Sequence, residues 1–124
     1  VKTFLEAEAF DGPSLIIAYS PCIEHGYDLG GMLQHQKAAV KSGYWPLFRY
    51  NPDLADQGKN PLQIDSKAPS MPVQEYLETE NRFRQVARRN PEVAAKLAAS
   101  LQTQIDERWA MLEHLASEKS SVEG

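Results

Sequence analysis

The chain has 124 residues, with 13 Lys and Arg against 17 Asp and Glu, a formal charge of -4. Its 42% hydrophobic and 24% charged residues give the balance of an ordinary globular chain and argue against disorder. The acidic balance lacks the basic field that phosphate backbones select, so nucleic acid is excluded as an expected partner. The longest uncharged apolar run, Leu15 to Tyr19, is far too short to cross a bilayer. No signal peptide is visible, and the single cysteine, Cys22, rules out a disulfide within the chain.

In chain order, Phe4, Leu5, Ala7 and Ala9 lie among Glu6 and Glu8, the pattern of a helix end stopped at Asp11-Gly12-Pro13. Ser14-Leu15-Ile16-Ile17-Ala18-Tyr19 follows, apolar at consecutive positions. Such a segment reads as a strand covered on both faces, the condition of a parallel strand inside an α/β sheet. Residues 20–31 then form the loop at its carboxyl end, where open α/β sheets bind ligands. A helix is expected over 32–42, with Met32, Leu33, Ala39 and Val40 on its apolar side and Gly43 as its stop.

The aromatic run Tyr44-Trp45-Pro46-Leu47-Phe48-Arg49-Tyr50 reads as a second strand, at an edge or a bulge because Pro46 donates no ladder hydrogen bond. Pro46, Pro52, Pro61, Pro69 and Pro72, five of the eight prolines, mark an extended crossing in which Leu62-Gln63-Ile64-Asp65 is a candidate short strand. The last third is helical. Val73, Tyr76, Leu77, Phe83 and Val86 recur near the roughly 3.6-residue helical period. Asn90-Pro91 supplies a cap and a first-turn proline. Val93, Leu97, Leu101, Ile105, Trp109, Leu112 and Ala116 line one face of a final helix to about Ser117, and residues 120–124 should fray.

Chemistry centres on Cys22, which follows Pro21 and precedes Gly26, Gly30 and Gly31 in the expected ligand-facing loop. A free cysteine is ordinarily a small buried hydrophobe. One thiolate cannot by itself hold zinc or an iron–sulfur cluster, which need about four ligands, so a metal here would draw its other ligands from elsewhere. His25 and Glu24 read as a solvated loop tip, the Cys-x-x-His spacing being a weak zinc signal without a second pair. His35 and His114 receive no role. The glycines before the helix lack the pattern of a phosphate loop. Arg82, Arg84, Arg88 and Arg89 read as a solvated face in the last turns of a helix. Asp28, Asp53, Asp56 and Asp65 form no paired-carboxylate site, and no nucleophilic triad is defensible.

Three stretches carry a resemblance. The run from Gly12 through Cys22 to Gly26, the run from Ala39 through Trp45 to Pro52, and Gly58-Lys59-Asn60-Pro61-Leu62-Gln63-Ile64-Asp65-Ser66-Lys67 resemble the C-terminal part of pyruvate:ferredoxin (flavodoxin) oxidoreductases of the single-chain bacterial type. The resemblance extends to about Ala116. It implies an enzyme that decarboxylates pyruvate oxidatively with coenzyme A to acetyl-CoA and carbon dioxide and passes electrons to ferredoxin or flavodoxin. It further implies thiamine diphosphate with Mg2+ and iron–sulfur clusters as cofactors.

Carried over to this chain, the family's cluster-ligating cysteine is Cys22, one ligand of a 4Fe–4S cluster whose three companions lie earlier in the polypeptide. The resemblance assigns no catalytic residue to this chain. The Gly-Asp-Gly motif and downstream asparagine that hold magnesium and diphosphate in thiamine enzymes are absent. The expected fold is therefore an α/β fragment of a thiamine-diphosphate-binding domain, two or three strands followed by a pair of C-terminal helices. Residues 1–70 would form the end of that domain with its cysteine loop and crossing, 71–117 the helices, and 118–124 a frayed tail. The remainder of the same polypeptide, a homodimeric assembly and a cytoplasmic location belong to the same expectation, with no membrane. Another 2-oxoacid:ferredoxin oxidoreductase, or a non-catalytic docking module using the Arg82–Arg89 helix and the Trp109 face, are the alternatives.

Overall fold

The structure, a computed structural model, describes residues 1–118, so the tail expected to fray lies, but for Glu118, outside the described residues. Helix α1 spans Lys2–Ala9, α2 Met32–Lys41, α3 Asp53–Asp56, α4 Val73–Leu77, α5 Asn81–Arg89 and α6 Pro91–Ser117. Two single 3-10 turns, Ile23–His25 and Leu29–Gly31, lie in the loop before α2. Strands β1, Phe48–Tyr50, and β2, Leu62–Ile64, pair antiparallel with Phe48 opposite Ile64 and Tyr50 opposite Leu62. The result is a small mixed α/β unit with a two-stranded sheet among the described residues.

Local chemistry explains most boundaries. Asp28 Oδ1 accepts from Gly30 N at 2.9 Å and fixes the turn that leads into α2. Gly43 ends α2 in the left-handed conformation, φ 71°, with its N–H bonded to Val40 O at 3.0 Å. Pro91 occupies the first turn of α6 as expected, although the Asn90 side chain makes no capping bond. At the other end Asn60 Nδ2 donates to Leu115 O at 2.6 Å and Glu118 O at 2.7 Å, capping α6 from the crossing loop.

Helix α6, 27 residues and about 40 Å long, is the spine against which α4, α5 and β2 pack. The buried apolar residues are Ala39, Leu62, Val73, Tyr76, Ile105 and Leu112. Burying a side chain such as Val73 or Ile105 fully stabilises by about 1.5–3 kcal/mol. Gln102 Oε1 accepts from Val73 N at 2.8 Å, and Arg108 Nη2 donates to Gly43 O at 2.6 Å, so α6 also ties down the start of α4 and the end of α2.

Four expectations are corrected. Leu15 to Tyr19 forms no ladder among the described residues: it has no regular secondary structure, with Leu15 83% and Ile17 71% exposed. Its apolar pattern asks for flanking strands, and none of the described residues supplies one. The second strand is only β1, because Pro46 has no N–H and Tyr44 and Trp45 turn toward an aromatic cluster. The helical stretch after Val73 breaks at 78–80, where Thr79 Oγ1 bonds back to Tyr76 O at 2.6 Å and Glu80 is extended. Finally, α2 buries His35 beside the expected Ala39, whereas Met32 and Leu33 are exposed.

Candidate functional site

The loop after Leu15 to Tyr19 leads through Pro21 to Cys22, whose extended backbone, φ -142° and ψ 139°, precedes the Ile23–His25 turn. Cys22 is a free, exposed cysteine, unlike the usual buried thiol. Its carbonyl accepts from His25 N at 3.1 Å, and Ile23 O accepts from Gly26 N at 2.9 Å. These two N–H groups are thereby committed to the turn.

Beneath the loop lies a network absent from the sequence reading. Glu80 is fully buried. Its Oε1 accepts from Tyr76 Oη at 2.8 Å and from His35 Nε2 at 2.8 Å, and its Oε2 accepts from Arg82 Nε. Arg82 Nη2 also donates to Tyr19 Oη at 3.0 Å, and Tyr19 Oη lies 3.2 Å from Tyr76 Oη. Arg82, Tyr19, Tyr76 and Glu80 thus close a ring of polar contacts. Burial by itself would raise the Glu80 carboxyl, but the hydrogen bonds from Tyr76, Arg82 and His35 outweigh it and hold the group below the ordinary carboxylate value. Burial pushes the Tyr76 phenol well up, which keeps it a donor at any physiological pH.

Aromatic rings enclose this ring. His35 stacks on Tyr27 at 3.8 Å between centroids and on Tyr76 at 5.1 Å, and Tyr19 stacks on Trp45 at 5.2 Å and on His25 at 5.9 Å. His25 is therefore not a solvated tip: its side chain is 15% exposed, and Nδ1 lies 3.7 Å from Glu80 Oε1. His35, assigned no role by spacing, bridges Glu80 and Thr79 Oγ1, the latter at 3.1 Å from Nδ1. Arg82 turns inward, away from the solvated face expected of it, whereas Arg84, Arg88 and Arg89 remain exposed. His114 lies at the surface beside Glu118. One signal existed in the sequence: four aromatic residues, Tyr19, Tyr27, Tyr44 and Trp45, flank α2 on both sides.

Among the described residues there is no group of three or more His, Cys, Asp and Glu side chains able to hold a metal ion. The donor set fits one corner of a shared cluster: one exposed thiol that belongs to no group of three or more ligating side chains among the described residues. The Gly-Asp-Gly motif expected of a thiamine diphosphate and Mg2+ seat does not occur in this sequence. No helix among the described residues is long and apolar enough to cross a membrane.

No family model matches the chain. Individual proteins do. The pyruvate-flavodoxin oxidoreductase of Trichormus variabilis is 55% identical over 94% of this chain, which covers 10% of that protein. The pyruvate:ferredoxin oxidoreductase of Moorella thermoacetica is 43% identical over 94% of the chain, again covering 10% of it. The mitochondrial pyruvate dehydrogenase [NADP(+)] of Euglena gracilis is 48% identical over 88% of the chain, which covers 6% of that protein. The chain spans about a tenth of the length of the curated relatives it matches, and over nearly all of its own length it is a homologue of one segment of the pyruvate-flavodoxin oxidoreductases, which are enzymes.

Proposed function

We propose that this chain is the C-terminal segment of an enzyme that oxidatively decarboxylates pyruvate with coenzyme A to acetyl-CoA and carbon dioxide, reducing ferredoxin or flavodoxin. In that enzyme Cys22 serves as one thiolate ligand of a 4Fe–4S cluster beside thiamine diphosphate. The observation that carries the reading is an exposed thiol on an anchored loop, in a chain 55% identical to a pyruvate-flavodoxin oxidoreductase segment. The relatives' names share pyruvate while their acceptors differ, namely flavodoxin, ferredoxin and NADP(+). That pattern favours pyruvate over other 2-oxoacids. It also favours a role for this segment in a step common to all three acceptors.

When bound, the cluster would accept electrons one at a time. The chain's own part is to present the Cys22 sulfur, shield one side of the site with the stacked rings, and carry its backbone amides near the sulfurs, where hydrogen bonds tune reduction potential. A docking role for the arginine helix has less support, because Arg82 is engaged inside the network. In the intact protein, Cys22→Ala should lower iron content and acceptor reduction while leaving pyruvate binding in place. Full cluster content with undiminished ferredoxin reduction would overturn the assignment. Comparing turnover of pyruvate and 2-oxoglutarate by the intact protein tests the substrate.

A further inference from the structure

The loop that bears Cys22 is held at both ends by three consecutive residues. At its start, Arg82 Nη2 donates to Tyr19 Oη at 3.0 Å. At its end, Asn81 N donates to Gly26 O at 3.1 Å. Gly26 is left-handed, φ 71°, and a Cβ there would stand 2.6 Å from Asn81 Cβ, so loop and corner touch without a gap. Between them Glu80 binds Arg82 and approaches His25 Nδ1 to 3.7 Å. The break between α4 and α5, which no proline or glycine imposes, is what brings these three residues to one corner.

We propose that the corner Glu80-Asn81-Arg82 is the positioning element of the Cys22 loop, setting the direction in which the thiol is presented. Glu80 and Arg82 are positioning residues that act through Tyr19 and Gly26. Both anchors close on backbone or side chains within four residues of Cys22, leaving the intervening Ser20 to His25 little freedom. The consequence for a cluster rests on the function proposed above, whereas the consequence for the loop itself does not.

The test uses the intact protein with its cofactors. Glu80→Gln keeps the shape of the side chain and removes its charge, and Arg82→Lys keeps the charge and removes the fork that spans Glu80 and Tyr19. Leu112→Ala, a buried α6 position outside the corner, is the control for general destabilisation. Amide hydrogen exchange, followed by mass spectrometry, should rise several-fold in peptides covering 19–26 for both corner variants, with α6 peptides unchanged. Leu112→Ala should show the opposite distribution. Release of iron to a chelator should accelerate roughly tenfold in the corner variants, the scale on which supporting partners act on a metal site.

Exchange that rises equally in the loop and α6, or not at all, would overturn the proposal. If Glu80→Gln does not fold, Arg82→Lys, at a half-exposed side chain, decides alone. If Cys22→Ala retains all the iron, the cluster reading falls while the exchange measurement still judges the corner.

Discussion

A carboxylate buried without compensation would be forced toward its neutral form, and Glu80 escapes this because three donors converge on it. Such a group makes its partners dependent on one another. Removing the Tyr76 hydroxyl by Tyr76→Phe deletes the bonds to Glu80 and Tyr19 while preserving the ring that packs on His35. The expected loss is about 1–3 kcal/mol, the penalty for leaving a buried polar group short of a partner. Local opening free energies from native-state hydrogen exchange of peptides covering 73–82 in the intact protein check it, with Tyr50→Phe, at an exposed ring, expected to change them by less than about 0.5 kcal/mol. None of this could be read locally. Glu80 sits between Thr79 and Asn81 as an unremarked residue ahead of a helix, and the partner that gives it meaning, His35, is 45 positions away. Cys22 stands out in the sequence because Pro21 and the glycines at 26, 30 and 31 bracket its loop, but those neighbours do not say that the loop needs an anchor.

Among the elements, the α2 terminus shows how one residue can serve two demands. Gly43 needs φ 71° to end the helix, and a Cβ at that position would come within 2.7 Å of Ile105 Cγ2 and 2.8 Å of Pro69 Cγ. Gly43→Ala therefore combines backbone strain with a forced separation of α2 from α6. A loss greater than about 1 kcal/mol is expected in the local opening free energy of α2, read by native-state hydrogen exchange in the intact protein, more than either a left-handed alanine or a typical surface change produces. The β1–β2 pair is secured differently. Arg49 Nε and Nη2 donate to Asp65 Oδ2 and Oδ1 at 2.7 and 2.8 Å, and Nη1 reaches Glu6 of α1.

The Arg49 guanidinium holds the Asp65 carboxyl below its ordinary value of 3.8, burial opposing only in part. Because the folded value is the lower one, the stability this carboxylate adds is complete above about 3.8 and disappears as pH falls through the lowered folded value. Acid titration followed by hydrogen exchange should loosen β1, β2 and α1 together, and Asp65→Asn should abolish that step. Loss of α1 alone would contradict it. Strand β2 was legible in Leu62-Gln63-Ile64-Asp65, a candidate short strand, but its antiparallel pairing with β1 was not. The Arg49–Asp65 fork was not, because it joins residues 16 positions apart across a proline-rich crossing.

The molecule as a whole exposes 9061 Å², whereas a compact monomer of 13.9 kDa would expose about 6,700 Å². The excess is in keeping with the exposure of Phe4, Leu5, Leu15, Ile17 and Leu97. Apolar side chains in such number want cover that the described residues do not provide. Expressed by itself, the chain should bind a hydrophobic dye and melt without a sharp transition; a cooperative, dye-silent melt of monomeric chain would refute this.

What the amino-acid sequence determined alone was local: the stop of α2 at Gly43, the start of α6 at Asn90-Pro91 and its end near Ser117, the short strand at Leu62, and the likeness to one enzyme segment. These depend on φ preferences, missing N–H groups and periodicity, which act within a few residues. The tertiary structure alone decided which faces are buried, that Leu15 to Tyr19 stands without a neighbour, and that Glu80, Asn81 and Arg82 grip the cysteine loop. Those outcomes depend on contacts between residues as far as 65 positions apart, and a hydrogen bond or stacked ring carries no mark in the sequence on either side of it.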